Sequence, residues 1–311
     1  MKKFNKILTA LVLTGCALNA NAQSQRNMFA ERTDLVQRYS MNNALPISWY
    51  VGAVDVSEFK DLVDRFLSFS NYLTTKLDRL VVLDTLTTDQ QAGAEALKGK
   101  YEIVYTSSII ASQLADMGWQ PILARSEDIN LVVLALSSNK AINNKNDFKN
   151  TVITTTSGSS IARTVGYSLI KEGFIDNAPL KENRNFKPRP VGQEQLVDIL
   201  KNKQTDGIIV RDVVAKRLMN LNPQQYKIVY SASPVLGHVV LTSPNFDANK
   251  VETLKAALKG LDNLPNNDPI LRAMDGLKTD TATVFKEIKP AELKAARELA
   301  RMHEEFKISQ P

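Results

Sequence analysis

The segment Thr154-Thr155-Thr156-Ser157-Gly158-Ser159-Ser160-Ile161 ends a short apolar run and opens a segment with helical spacing, and Tyr105-Thr106-Ser107-Ser108-Ile109 does the same earlier in the chain. The first N–H groups of a helix lack partners within it and carry roughly half a positive charge, so hydroxyl groups there complete a site suited to an oxyanion. Ser and Thr are also ordinary N-cap residues, which is the simpler explanation for one such segment. Two of them, in a chain of alternating β and α segments, predict a cleft with one hydroxyl-rich helix start on each side.

The N-terminus is typical of an export signal. A basic head at residues 1–6 precedes a short apolar run at 7–13, which is too short to cross a membrane as a helix. We therefore expect residues 1–22 to be an export signal and residues 23–45 to be a polar leader of the exported protein.

Two cleavage sites compete within this signal. Leu13-Thr14-Gly15-Cys16 resembles the lipobox of bacterial lipoproteins, which would make Cys16 the lipidated first residue, whereas Ala20-Asn21-Ala22 fits ordinary cleavage before Gln23. The sequence leaves both open. Either outcome removes the only cysteine as a free thiol, which excludes disulfides, thiolate metal sites and cysteine nucleophiles.

The size and charge of the chain limit its class. With 311 residues, 43% of them hydrophobic, it can bury a substantial core and predicts two α/β lobes or one large domain. Loss of residues 1–22 removes three lysines and no acid, so the formal net charge falls from +6 to +3. The most basic segments, 181–189 and 286–301, are interrupted by acids or prolines, which argues against a nucleic-acid partner.

Hydrophobic periodicity divides the chain into strands and helices. In the first part it predicts strands at 47–56, 80–83 and 102–105 with helices between them. In the second part it predicts strands at 152–154 and 207–210 and helices at 159–172, 193–201 and 212–220. Alternation of this kind favours parallel sheets, whose ligand sites lie at the carboxyl ends of the strands.

The two parts define two predicted lobes. Lobe 1 comprises residues 46–136 plus 236–311, and lobe 2 comprises residues 137–235. The apolar segment 130–136 is the predicted first crossing between them, and the segments 227–230 and 239–241 form the predicted return.

Motifs for covalent catalysis and metal binding are poor. The S-x-x-K matches at Ser137 and Ser168 lack the S-D-N and K-T-G partners of that serine chemistry, and the glycine-rich stretch 93–100 has the wrong spacing for a phosphate loop. The sequence has two histidines and no H-E-x-x-H. We therefore expect a protein that is not an enzyme and that has no metal and no cofactor.

Five segments carry a resemblance to a known family, in the family's order: Ile142-Asn143-Asn144-Lys145-Asn146-Asp147-Phe148, Thr155-Thr156-Ser157-Gly158, Gly192-Gln193-Glu194, Thr205-Asp206-Gly207 and Ser233-Pro234. In these segments the chain resembles periplasmic substrate-binding proteins of the phosphate, phosphite and phosphonate group, which serve ABC transporters. The resemblance extends over about residues 47–260.

The resemblance implies the type 2 periplasmic binding protein fold: two lobes, each a mostly parallel sheet flanked by helices, joined by a two-strand hinge. It implies a monomer in the periplasm that captures a small anionic ligand by hinge closure and delivers it to an ABC permease in the inner membrane. A lipid on Cys16 would be its only attachment to the membrane. The alternative is a ligand sensor that signals to a kinase or another envelope partner; an enzyme on the same fold is less favoured.

The resemblance also implies which residues hold the ligand. From lobe 2 these are Thr155, Thr156, Ser157 and Ser159, and from lobe 1 they are Tyr105, Thr106, Ser107 and Ser108. Gln193 stands where the family often has a histidine, and it can donate a neutral hydrogen bond but cannot become a cation.

Two further candidates come from their positions after predicted strands. Arg211 would point into the cleft and could bind an oxyanion through two N–H groups, unless it pairs with Asp206 or Asp212. His238 on the return crossing is a candidate for ligand contact, although a lone histidine is more often a packing residue. Family members that bind aminoalkyl phosphonates use carboxylates where this chain has Val213 and His238, so the resemblance does not imply an aminophosphonate ligand.

Overall fold

The computed structural model describes residues 28, 30–39, 41–50, 59–86, 88–176, 178, 183–266, 268–274 and 284–301, without the side chains of 59–65 and 272–274. The predicted export signal and Cys16 lie outside these residues. The strands are β1 (Leu45–Tyr50), β2 (Val81–Leu86), β3 (Ile103–Thr106), β4 (Gln120–Arg125), β5 (Leu131–Leu136), β6 (Ile153–Thr156), β7 (Phe186–Arg189), β8 (Gly207–Arg211), β9 (Tyr226–Ser231), β10 (Val239–Thr242) and β11 (Phe285–Lys286). The α-helices are α1 (30–38), α2 (Phe59–Leu77), α3 (Asp89–Leu97), α4 (Ser108–Asp116), α5 (Ser160–Lys171), α6 (Gln193–Lys201), α7 (Asp212–Leu221), α8 (Ala248–Lys259) and α9 (Pro290–Arg301).

These elements form two sheets, one in each lobe. The first has the order β11-β4-β10-β3-β1-β2 and the second the order β7-β6-β8-β5-β9. Strands β1, β2 and β3 run parallel, as do β6, β7 and β8, because a helix connects each strand to the next. Each sheet is mixed, with most of its strands running in one direction, as expected. Strand β10 enters the first sheet from the other lobe, β5 enters the second in the same way, and both run antiparallel to their neighbours.

Apolar side chains fill both faces of each sheet, as expected for α/β lobes. In lobe 1, α2 and α8 cover one face and α3 and α4 cover the other. In lobe 2, α5 covers one face and α6 and α7 cover the other. The run Leu131–Leu136 is buried at every position because β5 lies inside the second sheet with a helix layer on each side.

Two crossing segments form the hinge between the lobes, as the sequence predicts for this fold. They pair at Ile129 and Val235, whose backbone groups exchange two hydrogen bonds of 2.7 and 3.0 Å. The first crossing differs in position from the prediction. Residues 130–136 were expected to cross, with lobe 2 starting at residue 137, but β5 pairs with β8 and β9 and so already belongs to lobe 2.

The terminal helices extend lobe 1. The segment expected to be a polar leader contains α1, and Arg32 on this helix donates from Nη2 to the carbonyl of Val81 at 2.8 Å. At the other end of the chain, α9 packs on α4 through the ion pair of Arg297 with Asp116 at 2.8 Å. Ala300 of α9 belongs to the same apolar cluster as Ile109 of α4.

Among the described residues, no helix combines the length and the apolar character needed to cross a bilayer.

Gly237 is the position where the hinge tolerates no side chain. A Cβ atom there would lie 2.4 Å from the carbonyl oxygen of Glu127 and 2.9 Å from Cβ of Arg125, on the opposite crossing segment. We expect Gly237→Ala to lower the free energy of unfolding by about 1–3 kcal/mol, because the backbone must move apart to relieve the clash. Urea unfolding measures the change.

Gly207→Ala is the matched control for this substitution. Its Cβ would meet side-chain methyl groups of Val133 and Ile142 at 3.1 and 3.3 Å, which can shift more easily than a carbonyl. A Gly237→Ala protein as stable as the wild type would contradict the tight approach of the two crossing segments.

Candidate inter-lobe binding site

Three helix starts meet where the lobes face each other. Helix α4 has Ser107 as its N-cap and α5 has Ser159, and each N-cap hydroxyl accepts a hydrogen bond from a backbone N–H in the first turn of its helix. Across the gap, the Oγ atoms of Ser107 and Ser160 lie 3.0 Å apart, and both residues are fully buried. The two hydroxyl-rich segments singled out in the sequence therefore do face each other.

The third helix start brings a carboxylate into this junction. Asp89, the first residue of α3 in lobe 1, accepts hydrogen bonds from the backbone N–H of Ser160 at 2.9 Å and from the Ser160 hydroxyl. Its own N–H donates to the carbonyl of Gly158 at 3.3 Å. Asp89 is 1% exposed, and its second oxygen, Oδ1, has no hydrogen-bond partner among the described residues. A side chain of the protein thus takes the first backbone donor of α5.

Aromatic rings form one wall beside these helix starts. The ring of Tyr105 stacks on Trp49 with centroids 4.1 Å apart, and both are buried. Tyr50 and Tyr105 each lie 5.3 Å from the imidazole of His238, measured between ring centroids. The Tyr50 hydroxyl donates to the carbonyl of Gly158 at 3.1 Å, which adds another contact between the lobes.

Arginines lie near the imidazole of His238. Burial, followed by the positive charges of Arg211 and Arg125, lowers the pKa of His238 from 6.5 to about 3. Arg211 is the last residue of β8 and the N-cap of α7, and its backbone N–H donates to Oε1 of Gln193 at 2.9 Å. Because the imidazole stays neutral at physiological pH, the positive charge near it comes from Arg211 and Arg125.

The lobe 2 candidates fall into two groups. Strand β6 continues to Thr156, so Thr155 is a buried strand residue and Thr156 and Ser157 precede the helix start. The hydroxyl of Thr156 accepts from the N–H of Gly158 at 3.3 Å, and the N–H of Ser157 donates to the carbonyl of Arg189 at 2.7 Å. The first turn of α5 is built instead by Ser159 and Ser160.

The lobe 1 candidates also divide. Ser107 lies at the junction, whereas the hydroxyl of Ser108 donates to the carbonyl of Leu236 at 2.8 Å and ties α4 to the second crossing segment. Thr106 is fully buried, and its hydroxyl has no hydrogen-bond partner among the described residues. The structure thus places Tyr105 and Ser107 beside His238 and Ser160, and Ser108 at the hinge.

Sequence reasoning missed Asp89, Ser160 and the contact of Tyr50 with lobe 2. Asp89 follows the N-cap Thr88, and an acid in the first turn of a helix is an ordinary feature that marks no site. For Tyr50, nothing local in a strand indicates a partner 108 positions later. Within the described residues, no group of three or more metal-binding side chains could hold a metal ion.

His238 provides a pH-dependent signature of this site. Its pKa in the folded protein lies below the unfolded value, so the unfolded chain takes up a proton first and the free energy of unfolding decreases as the pH falls from about 6.5 towards 3. One proton contributes at most about 1.4 kcal/mol for each pH unit. We expect His238→Asn to remove this part of the acid sensitivity, measured by urea unfolding at several pH values.

NMR provides an independent check, since the chain has only two histidines. The imidazole signal that disappears in His238→Asn should show no titration between pH 8 and 5 in the wild-type protein. A midpoint near the usual pKa of about 6.5 would contradict this environment.

Comparison with known proteins agrees with this architecture. Residues 52–292 match the model of the family described as ABC transporter, phosphonate, periplasmic substrate-binding protein. No curated protein matches the chain in sequence.

Solved structures show the same two-lobed fold. PhnD1 from Prochlorococcus marinus in complex with methylphosphonate aligns with a TM-score of 0.64 and 14% identity over 84% of this chain and 98% of its own. A binding protein component of an ABC phosphonate transporter from Pseudomonas aeruginosa aligns with a TM-score of 0.61 and 13% identity, over 82% of this chain and 85% of its own. The periplasmic aliphatic sulphonate binding protein SsuA from Escherichia coli aligns with a TM-score of 0.57 and 11% identity, over 84% of this chain and 91% of its own.

The family match covers most of the chain, and these solved structures share its overall fold. The family brings with it a small ligand, an ABC permease as partner and export to the periplasm. The chain therefore belongs to the family of phosphonate periplasmic substrate-binding proteins of ABC transporters, as the solute-binding component of an import system.

Proposed function

We propose that the protein captures a small phosphorus oxyanion, such as a phosphonate, phosphite or phosphate, between its lobes at the starts of α4 and α5. The observation that carries this proposal is the approach of Ser107 and Ser160 to 3.0 Å across the gap. Each hydroxyl lies at the start of a helix in a different lobe, so an anion that replaced their mutual hydrogen bond would contact both lobes at once.

Buried polar atoms support a ligand at this place. Thr106 Oγ1 and Asp89 Oδ1 are both buried without a hydrogen-bond partner among the described residues. A buried polar atom without a partner costs roughly 1–3 kcal/mol, and such atoms are rare in folded proteins. A ligand with both donor and acceptor groups would satisfy them.

Arg211 and Arg125, near His238, supply the positive charge that an anion needs. A guanidinium at the position of Arg211 can bind two oxygens of an oxyanion in parallel, and the neutral imidazole of His238 can donate one further hydrogen bond. The proposed ligand-binding residues are Tyr105, Ser107, Ser159, Ser160, Gln193, Arg211 and His238. Thr155, Thr156 and Ser157 then support the loop before α5.

Hinge motion completes the proposed mechanism. Rotation about the pair Ile129–Val235 would separate α5 from α3 and α4 and open the site. The ligand would bind one lobe first, and closure would add the donors of the other lobe and exclude water. The closed form is the one offered to the permease, and no covalent step is involved.

The form of the exported protein is also part of the proposal. We infer a monomer, because one chain supplies both lobes and the hinge. The protein is either released into the periplasm after cleavage at Ala22 or anchored through a lipid on Cys16. The intact mass of the mature protein distinguishes the two.

Calorimetric titration tests the proposed ligand class. The panel is methylphosphonate, phosphite, phosphate, sulfate, methanesulfonate and acetate. We expect at least one phosphorus oxyanion to bind and to raise the melting temperature, because a ligand selective for the folded state stabilises it by mass action. If none of the anions binds, or if the titration yields a reaction product, the proposal is wrong.

Arg211→Ala tests the site itself. We expect it to weaken binding of the best anion by roughly 10- to 100-fold, because it removes charge-assisted hydrogen bonds. The matched control is Arg217→Ala, on the same helix, whose guanidinium is half exposed and pairs with Glu194. Equal affinities for the two variants would contradict the placement of the anion beside Arg211.

A further inference from the structure

Lobe 2 contains a cavity of about 400 Å³ at the end of its sheet away from the cleft. The cavity lies where β5 ends, where α6 ends and just before β8 begins. Arg211 is at the other end of β8, and a strand of five residues spans roughly 13 Å from its first to its last Cα atom. The cavity is therefore separate from the cleft. Its lining includes two leucines and four polar residues: Leu136, Leu200, Ser138, Lys140, Lys203 and Asp206.

Lys203 has an unusual backbone conformation at this cavity. It follows the C-cap residue of α6 with a φ of 56°, and its N–H and that of Gln204 donate to the carbonyls of Leu200 and Ile199, both at 3.0 Å. The corresponding positions after α3, α4 and α5 also have positive φ, and all three are glycines: Gly99, Gly118 and Gly173. A side chain at positive φ costs free energy that glycine avoids. The helix end by itself thus favours glycine, and the lysine calls for a role of its side chain.

Two ammonium groups make the cavity positive. The side chains of Lys140 and Lys203 are exposed, and among the described residues neither forms an ion pair with an acid. Lys140 makes one hydrogen bond of 3.3 Å, to a nearby backbone carbonyl. The carboxylate of Asp206 is already bonded at both oxygens, by the amide of Asn139 at 2.9 Å and by the N–H of Val152 at 2.8 Å. The two lysines are therefore the charged groups that can turn to a ligand.

The inner side of the cavity is apolar and adjoins a buried hydroxyl. Leu136 and Leu200 are buried members of the apolar cluster between the sheet and the helices α6 and α7. Tyr226 pairs with Leu136 between β9 and β5, so the two side chains lie on the same face of the sheet. Tyr226 is 2% exposed, and its hydroxyl has no hydrogen-bond partner among the described residues, which is rare for a buried polar atom. The cavity thus combines cations at its exposed side with an apolar inner surface.

We propose that this cavity is a second binding site, for a small organic anion that carries an apolar group. Lys140 and Lys203 bind the carboxylate or phosphate group of the ligand through charge-assisted hydrogen bonds. The apolar group packs on Leu136 and Leu200, where burial of its surface adds affinity. Lobe 2 supplies every lining residue, so the site is complete in the open and in the closed protein alike. It does not depend on anion capture in the cleft, and either proposal can fail without the other.

NMR titration of the mature protein tests the site. The probes are benzoate, phenyl phosphate, benzyl alcohol and benzylamine, which share an aromatic group and differ in charge. We expect the two anions to shift the backbone amide signals of residues 136–140 and 200–206. Benzyl alcohol and benzylamine should bind there at least about 5-fold more weakly than benzoate, because they offer no negative charge to the lysines. The amide signals of residues 107–110 and 158–162 report binding in the cleft separately.

Lys203→Gly separates the side chain from the backbone. Glycine adopts positive φ readily, so we expect the variant to melt at or above the wild-type temperature and yet to bind benzoate roughly 3- to 10-fold more weakly. Lys140→Ala should weaken binding by a similar factor. The matched control is Lys201→Ala, which removes the same charge from the last turn of α6. Lys201 pairs with Asp198 at 3.8 Å and does not line the cavity, so this variant should bind benzoate as the wild type does.

Several results would overturn the inference. Absence of shifts around the cavity with both anions, or equal affinities for benzoate and benzyl alcohol, would exclude an anion site. Tighter binding of benzylamine would make Asp206 the binding group instead. Wild-type affinity in Lys203→Gly, or a melting temperature of this variant clearly below that of the wild type, would show that Lys203 serves the fold and not a ligand. Methylphosphonate binding in the cleft, measured on the same variants, should not change, so failure of this inference leaves the proposed function standing.

Discussion

The contact on which this structure depends is the approach of lobe 1 to the start of α5. Ser107, Asp89 and Tyr50, from three different strand–helix connections of lobe 1, all reach the turn formed by Gly158 and Ser160. The first turn of a helix offers N–H groups without partners inside the helix, so it attracts acceptors from wherever the fold can supply them. In this protein the carboxylate of Asp89 supplies such an acceptor from the opposite lobe, and the hydroxyls of Ser107 and Tyr50 bond to the same turn, which makes one helix start the place where the two lobes are joined.

Sheet topology makes this convergence possible. The carboxyl ends of β1, β3 and β6 all point towards the gap, because parallel strands joined by helices end on the same side of their sheet. The antiparallel strands β5 and β10 carry the chain between the lobes, and their crossing segments pair at Ile129 and Val235. The hinge therefore lies beside the cleft, where a small rotation changes the distance between the helix starts.

Electrostatics at the cleft is balanced rather than uniformly positive. Burial, followed by the charges of Arg211 and Arg125, lowers the pKa of His238 and keeps its imidazole neutral, while Asp89 places a buried carboxyl group at the start of α5. A uniformly positive site would attract any anion of suitable size. In this protein the side chain of Asp89 adds an oriented acceptor among the donors at the lobe junction.

Much of this architecture followed from local patterns. The alternation of apolar runs and helical spacing predicted two α/β lobes, and the two hydroxyl-rich segments at 105–109 and 154–161 were correctly expected to face one another. The antiparallel direction of β5 and β10 was not predicted, because an apolar run such as Leu131–Leu136 has the same pattern in a parallel and in an antiparallel strand. For the same reason the first crossing was predicted at residues 130–136, most of which form β5 of lobe 2, and not at the segment before this strand, which pairs with the return crossing at Ile129. Cys16 and the export signal remain predictions from sequence alone.

The sequence by itself determined that this chain has helix starts suited to an anion, since Ser at an N-cap acts on backbone groups only a few residues away. Only the tertiary structure decided which of these groups meet. Asp89 and Ser160 are 71 positions apart, and neither has a local feature that marks it out from any acid or serine at a helix start. Contacts at such separation depend on how the sheets and the hinge place the helices, and that placement is a property of the whole packed core rather than of any segment.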